Sequence, residues 1–253
     1  MFNKTLLASA ISTALMTSAA LVQAQERDDL DPVASGDGFE ISGNVALTSD
    51  YRFRGISQSD EDAAIQGGFD MEFSPGFYIG TWGSSVDFDS NDGYDGSLEL
   101  DYYGGWSSSI GETDFGIDVG YIYYDYPGDN GDEGDYQEFY IGTSWKDLSL
   151  QVNYSDDYYA ETDEFWYISG DYSFSLLEDF TVGLHVGLNM LEEDGGFLSS
   201  DEDQYTDYSV TVTYSWASVD FSLAYVGTDL DDDDVFGTDW ADDTAVFTIA
   251  KSL

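Results

Sequence analysis

The sequence has no cysteine, three prolines, one histidine, and only 6 Lys and Arg against 52 Asp and Glu in 253 residues. Without cysteine there is no disulfide framework, thiolate zinc site or thiol nucleophile. A formal net charge of −46 repels phosphates. That excludes nucleic-acid binding through a basic footprint, and docking on an anionic leaflet through a polybasic patch. After residue 24 no stretch of ~18 apolar residues occurs, so no further membrane helix is expected. Disordered acidic chains are poor in aromatics, whereas this one has 20 Tyr, 16 Phe and 6 Trp. It is expected to fold, and for its length as one domain.

Residues 1–24 have the layout of an export signal: Lys4, an apolar stretch from Leu6 to Leu21, and the small-residue site Val22-Gln23-Ala24. Residues 25–38 (QERDDLDPVASGDG) are polar and read as a short periplasmic leader, leaving 39–253 as the folded body.

From Phe39 onward the chain alternates with period two. Odd positions from 39 to 53 read Phe, Ile, Gly, Val, Leu, Ser, Tyr, Phe; the even positions beside them are mostly polar or charged. Successive strand side chains point to opposite faces, so the pattern predicts strands with one apolar and one polar face. About twelve are expected: 39–54, 63–74, 77–88, 97–108, 113–124, 136–145, 148–155, 165–176, 180–191, 205–216, 219–226 and 244–253. Most have the ~9–11 residues that a tilted strand needs to cross a bilayer, and exceed the usual five or six of soluble sheets.

The connections alternate too. Tight turns such as Ser74-Pro75-Gly76, Lys146-Asp147 and Ala217-Ser218 follow even-numbered strands. Long acidic loops follow odd-numbered ones: 55–62, 89–96, 125–135, 156–164, 192–204 and 227–243. These loops hold about thirty of the 52 acids and no Lys or Arg. Aromatics should sit outward at both strand ends. At the tight-turn ends they include Phe39, Phe73, Tyr78, Phe115, Trp145 and Trp216; at the long-loop ends, Tyr51, Phe53, Phe88, Tyr121, Tyr123, Tyr154, Trp166 and Tyr208. Short turns on one side, long loops on the other and two aromatic girdles are the plan of a transmembrane antiparallel up-and-down β-barrel. A secreted β-sandwich also alternates, but requires neither the girdles nor the one-sided loops. The segment 245–253 (AVFTIAKSL) is similar to the terminal strand that the outer-membrane assembly machinery recognises, although it ends in Leu253 where an aromatic is usual. Lys251 falls on the apolar face near the tight-turn end, where its ammonium can snorkel.

The run at 47–88, with SDYRFRGISQS, QGGFD, and GFYIGTWGS followed by VDF, resembles the TorF family, a conserved outer-membrane family of unknown function to which a porin role is ascribed. The resemblance implies an outer-membrane β-barrel of Gram-negative bacteria with a channel role. It brings no substrate.

In such a barrel the polar face lines the lumen. Candidate lumen or constriction residues are Arg52, Arg54, Asp50, Asp70, Glu72, Asp87, Glu99, Asp101, Asp118 and Glu138. Rings of carboxylates favour cations, so the expected function is a narrow, cation-preferring channel for small solutes. The alternative is a non-conducting barrel whose acidic loops serve a structural or interaction role. Arg52 and Arg54, two residues apart on one expected face, read either as a basic spot in a constriction or as Arg–carboxylate bridges that fix the barrel's shape. His185 faces inward between Gly183 and Gly187; no nucleophile motif accompanies it, so no catalytic residue is assigned and no enzyme activity or cofactor is expected. Among the loops, Asp129, Asp132 and Asp135, and Asp231 and Asp233, are calcium candidates without the spacing of an EF-hand. The partners expected are outer-membrane lipid, small solutes or cations, and the assembly machinery.

Overall fold

Alternating side chains give a strand two unlike faces, and twelve such strands can hide every backbone edge only by closing on themselves. In the computed structural model, residues 34–36, 38–88, 96–111, 113–128, 134–192 and 196–253 are described. The ring strands are β1 (Phe39–Thr48), β2 (Ala64–Phe73), β3 (Phe77–Ser85), β4 (Leu98–Ser109), β5 (Phe115–Asp125) and β6 (Tyr136–Trp145). They continue with β7 (Leu148–Ser155), β8 (Phe165–Leu177), β9 (Phe180–Leu191), β10 (Gln204–Trp216), β11 (Val219–Thr228) and β12 (Thr244–Ser252). Each pairs antiparallel with its sequence neighbour, and β12 pairs with β1 to close the ring. An additional short strand, Ala34–Gly36, pairs antiparallel with the start of β1.

The outer wall is apolar. Leu47, Ile65, Phe69, Ile79, Ile141, Val186, Val210 and Leu223 are all exposed there. At the tight-turn end Phe115 stacks on Trp145 of β6 with ring centroids 6.0 Å apart. At the long-loop end the hydroxyls of Tyr208 and Tyr225 both donate to the Asp243 carboxylate at 2.7 Å. An amphipathic ring with its hydroxyl turned to a polar rim suits a membrane boundary. Lys251 Nζ donates to the Ser218 carbonyl at 3.4 Å, reaching the turn between β10 and β11.

Four outward assignments, Tyr78, Phe88, Tyr51 and Phe53, are corrected; Phe88 packs on the buried cluster inside the ring, against Tyr126. Tyr78 points inward and is buried, while its neighbour Phe77 is exposed. The cross-strand pair Phe73↔Phe77 puts both rings on one face, so the three-residue turn between them fixes the parity opposite to that expected. Tyr51 and Phe53 also fail to reach the outer face, because β1 ends at Thr48 rather than at 54. The chain then folds inward through a two-residue ribbon, Arg52–Phe53 with Ile56–Ser57. Arg54 and Gly55, at φ 48° and 85°, make the turn. Gly55 is at home there; its lack of a Cβ removes the steric cost of the left-handed region. A bilayer would leave Asp50, Arg52 and Arg54 without partners, whereas the lumen supplies them.

Candidate functional site

The loop-side half of the lumen is filled. Buried rings of Trp82, Tyr124, Tyr136, Phe165, Tyr167 and Tyr205 form one cluster with Tyr51 of the first loop and Trp240 of the last. Tyr51 meets Trp82 edge-on at 5.6 Å, and Phe53 meets Tyr124 edge-on at 5.8 Å. These contacts reach from the first loop to β3 and β5. Leu230 and Val235 of the last loop, and Tyr158 and Leu198 of two others, join the same cluster.

Two arginines tie this plug together. Arg52, 3% exposed, forms an ion pair with Asp50 and a second with Glu61 at 2.9 Å. Its Nη1 donates to the carbonyls of Gly55, Trp240 and Asp242, so one guanidinium joins the first loop to the last. Asp50 in turn accepts from Ser57 Oγ at 2.7 Å, and Trp240 Nε1 donates to Asp60 at 2.8 Å. Arg54 crosses the lumen instead. Its Nη2 lies 2.7 Å from Glu138 Oε1 and 2.8 Å from Oε2, and Nη1 donates to Tyr158 Oη at 3.1 Å. A charge-assisted contact of this kind is roughly twice as strong as a neutral hydrogen bond. Burial pushes the Tyr158 hydroxyl up to about 12, with the Arg54 charge opposing it. It therefore acts as a neutral acceptor for Arg54.

The carboxylates expected to line the lumen divide by height. Near the loops, Glu99 accepts from Tyr51 Oη at 3.1 Å, and Asp101 is buried two residues along β4 on the same face. Each leaves one carboxylate oxygen without a hydrogen-bond partner among the described residues. Asp87 does not line the lumen as expected: it is exposed, past the end of β3 at a bridge with Ser59, because the reversed parity of β3 turns Val86 inward instead; its backbone nitrogen donates to the Gln58 carbonyl at 2.9 Å. Toward the tight turns, Asp70 accepts from Tyr103 Oη at 2.5 Å and Asp118 from Tyr78 Oη at 2.7 Å. Glu72, also on β2, is half-buried. Asp50 and Arg52 thus sit in the plug, and Arg54 is brought to Glu138; apart from Asp87, the other candidates stay on the wall.

Glycines let the tyrosines lie flat. A Cβ on Gly105 would stand 2.4 Å from Tyr78 Oη, and one on Gly120 would stand 2.3 Å from Tyr140 Oη. With both rings against the inner wall, Tyr78 and Tyr140 hydrogen-bond to each other across β3 and β6. These inward tyrosines were hidden from the sequence reading by their aromatic class. The available signal was parity: in YQEFYIGTSW, Tyr136 and Tyr140 share a face with Glu138 rather than with Phe139 and Ile141.

His185 is held on both sides. Nδ1 lies 2.6 Å from Asp171 and Nε2 2.9 Å from Asp207, with Tyr167 Oη 3.0 Å from Nε2. Asn189 donates to the other Asp207 oxygen at 2.8 Å. Each ring nitrogen faces a carboxylate, an arrangement that stabilises a charged imidazolium between the two.

Of the calcium candidates, Asp129 and Asp132 lie outside the described residues. Asp135 accepts from Tyr123 Oη at 2.9 Å and from the Tyr126 backbone at 2.8 Å. Asp231 caps the 3-10 turn Asp232–Asp234, and the Asp233 carbonyl accepts from Ser199 Oγ. No group of three or more His, Asp or Glu among the described residues is arranged to hold a metal ion.

Residues 33–253 match the family described as "Bacterial protein of unknown function (Gcw_chp)". No curated protein matches the chain. Among solved structures, the KdgM porin is similar with TM-score 0.52 and 10% identity, over 83% of this chain and 97% of that one. The NanC porin is similar with TM-score 0.52 and 12% identity, over the same shares. At these identities the likeness is one of fold: a closed antiparallel barrel of the porin type.

Proposed function

The chain belongs to the bacterial Gcw_chp family of unknown function, and we propose that it is an outer-membrane channel of the porin type for small, preferentially cationic solutes, closed in this state by its first loop. One observation carries the reading. The inner wall presents Asp70, Glu99, Asp101, Asp118, Glu138 and Asp207, five of them buried, against Arg52, Arg54 and His185. Carboxylate rings lower the energy of cations in a narrow lumen and raise that of anions. The apolar outer wall and the tyrosines at its rim support an outer-membrane location, as do the porin-type fold and the export-signal layout of residues 1–24. The resemblance of 47–88 to the TorF family supports the channel role. No catalytic step is assigned to any residue.

The test is conductance of the refolded protein in a planar bilayer under a salt gradient. A reversal potential of cation sign supports the reading, and one of anion sign overturns it. The buried aromatic cluster favours a second reading, a barrel that never conducts and serves through its acidic loops. Silence of both the wild type and Arg54→Ala would select that one.

A further inference from the structure

Arg54 is not part of the barrel wall. It rides on the first loop, in a left-handed backbone conformation, and enters the wall from across the lumen. Its guanidinium carbon lies 4.2 Å from the ring centroid of Tyr167, 4.9 Å from Phe165 and 5.7 Å from Tyr158. Phe53, from its own loop, adds a fourth ring at 4.7 Å.

The partners around Arg54, namely Phe165 and Tyr167 of the wall and Tyr158 of the 156–164 loop, also make contacts of their own. Tyr158 and Phe165 stack on each other at 3.9 Å and 13°. Glu138 is fixed by Asn153 Nδ2 at 2.8 Å and approached by Tyr124 Oη at 3.4 Å. Three aromatic rings and one oriented, fully buried carboxylate therefore face the place where the guanidinium sits. Ring faces attract cations electrostatically, and enclosures of this chemistry select delocalised or alkylated cations over strongly hydrated ones. A guanidinium suits it further, being planar, weakly hydrated and matched to a carboxylate.

We propose that this wall is a binding site for organic cations of the guanidinium or alkylammonium class, and that Arg54 is its built-in occupant. A solute carrying the same head group displaces Arg54, and with it the first loop from the lumen. The inference rests on the channel reading for the access of solute to the site, and it names the solute class for that channel. Displacement makes the apparent affinity of the wild type weaker than that of a protein whose site is vacant, by the fraction of time the loop is away.

The test uses methylguanidinium as the probe and its neutral isostere methylurea as the control, titrated calorimetrically into the refolded protein in uncharged detergent. Arg54→Ala is expected to bind methylguanidinium about tenfold more tightly than the wild type, and methylurea not measurably. Adding Glu138→Gln to Arg54→Ala should weaken that binding by about tenfold. Absence of saturable binding to Arg54→Ala, equal binding of methylurea, or indifference to Glu138→Gln overturns the proposal. Should Arg54→Ala fail to refold, hydrogen exchange on the wild type decides. Methylguanidinium must accelerate exchange across residues 49–63 where methylurea does not, and unchanged exchange overturns the proposal. Conductance in potassium chloride is scored separately. A barrel that conducts but ignores methylguanidinium removes this inference and keeps the channel; a barrel that binds methylguanidinium and never conducts does the reverse.

Discussion

The carboxylate of Glu138, fully buried on β6, meets the guanidinium of Arg54 at 2.7 Å, although the two residues lie 84 positions apart in the chain. Removing one member of such a pair leaves a charge in a low-dielectric space with no counter-ion. Arg54→Ala should lower the stability of the refolded barrel by ~3–5 kcal/mol in denaturant unfolding. The double replacement Arg54→Met with Glu138→Leu should recover most of that loss, since apolar side chains of similar volume often replace a buried pair without penalty. A double variant as unstable as Arg54→Ala would show that packing, not charge, dominates the contact.

Arg52 works between loops rather than across the lumen. Arg52→Ala should raise hydrogen exchange in the last loop, residues 229–243, because it removes the donors to Trp240 and Asp242. Arg52→Lys should restore little of this protection, as one ammonium cannot reproduce a planar fork that engages Asp50, Glu61 and three backbone carbonyls together. Equal protection in Arg52→Lys and the wild type would contradict that geometry.

The inner wall predicts its own sensitivity to volume. Gly120→Ala places a methyl group against the Tyr140 hydroxyl and should cost ~1–3 kcal/mol in the same unfolding measurement. Gly111→Ala, with open space at its Cβ, serves as a control for the packing effect, though its φ of 65° brings a smaller backbone cost of its own.

The meeting of the first and last loops depends on pH. Burial, followed by the nearby Asp239 charge, holds the Glu61 carboxyl above the usual range, and the Arg52 ion pair only partly opposes this. A carboxyl raised on folding contributes fully below its unfolded value, and that contribution is lost as pH rises through the folded value. Loop protection, corrected for intrinsic exchange, should therefore fall as pH rises above the usual carboxyl range, modestly because Glu61 is exposed. Glu61→Gln should flatten the profile; a slope of the opposite sign would overturn the assignment.

The barrel was legible because its causes are local and repeated. Strand length and alternation recur strand after strand and loop asymmetry connection after connection, and eleven of the twelve strand spans are met within about two or three residues. The exception is β1. There the period-two pattern runs on through Tyr51 and Phe53, yet the chain turns inward at Ser49. Period two reports a preference for two unlike surroundings, and the interior of a plugged lumen offers both to Tyr51: ring contact with Trp82 and a hydroxyl contact with Glu99. The candidate site was half visible. Arg54 and Glu138 were both singled out as inward charges, but their meeting depends on a loop that leaves its strand, which no spacing encodes. Tyr158 and Tyr167 carried no distinguishing mark, since a tyrosine suits a lipid boundary and a buried lumen equally.

The joint between the two chain ends is the narrowest in the ring. β12 and β1 share five paired positions, from Thr248↔Thr48 to Ser252↔Asn44, against ten between β1 and β2. This seam joins the first ring strand to the last, whereas every other ring pairing joins sequence neighbours. Without those five pairs the sheet would be a ribbon with two bare margins, and the cylinder, its lumen and the plug inside it would have no wall to share.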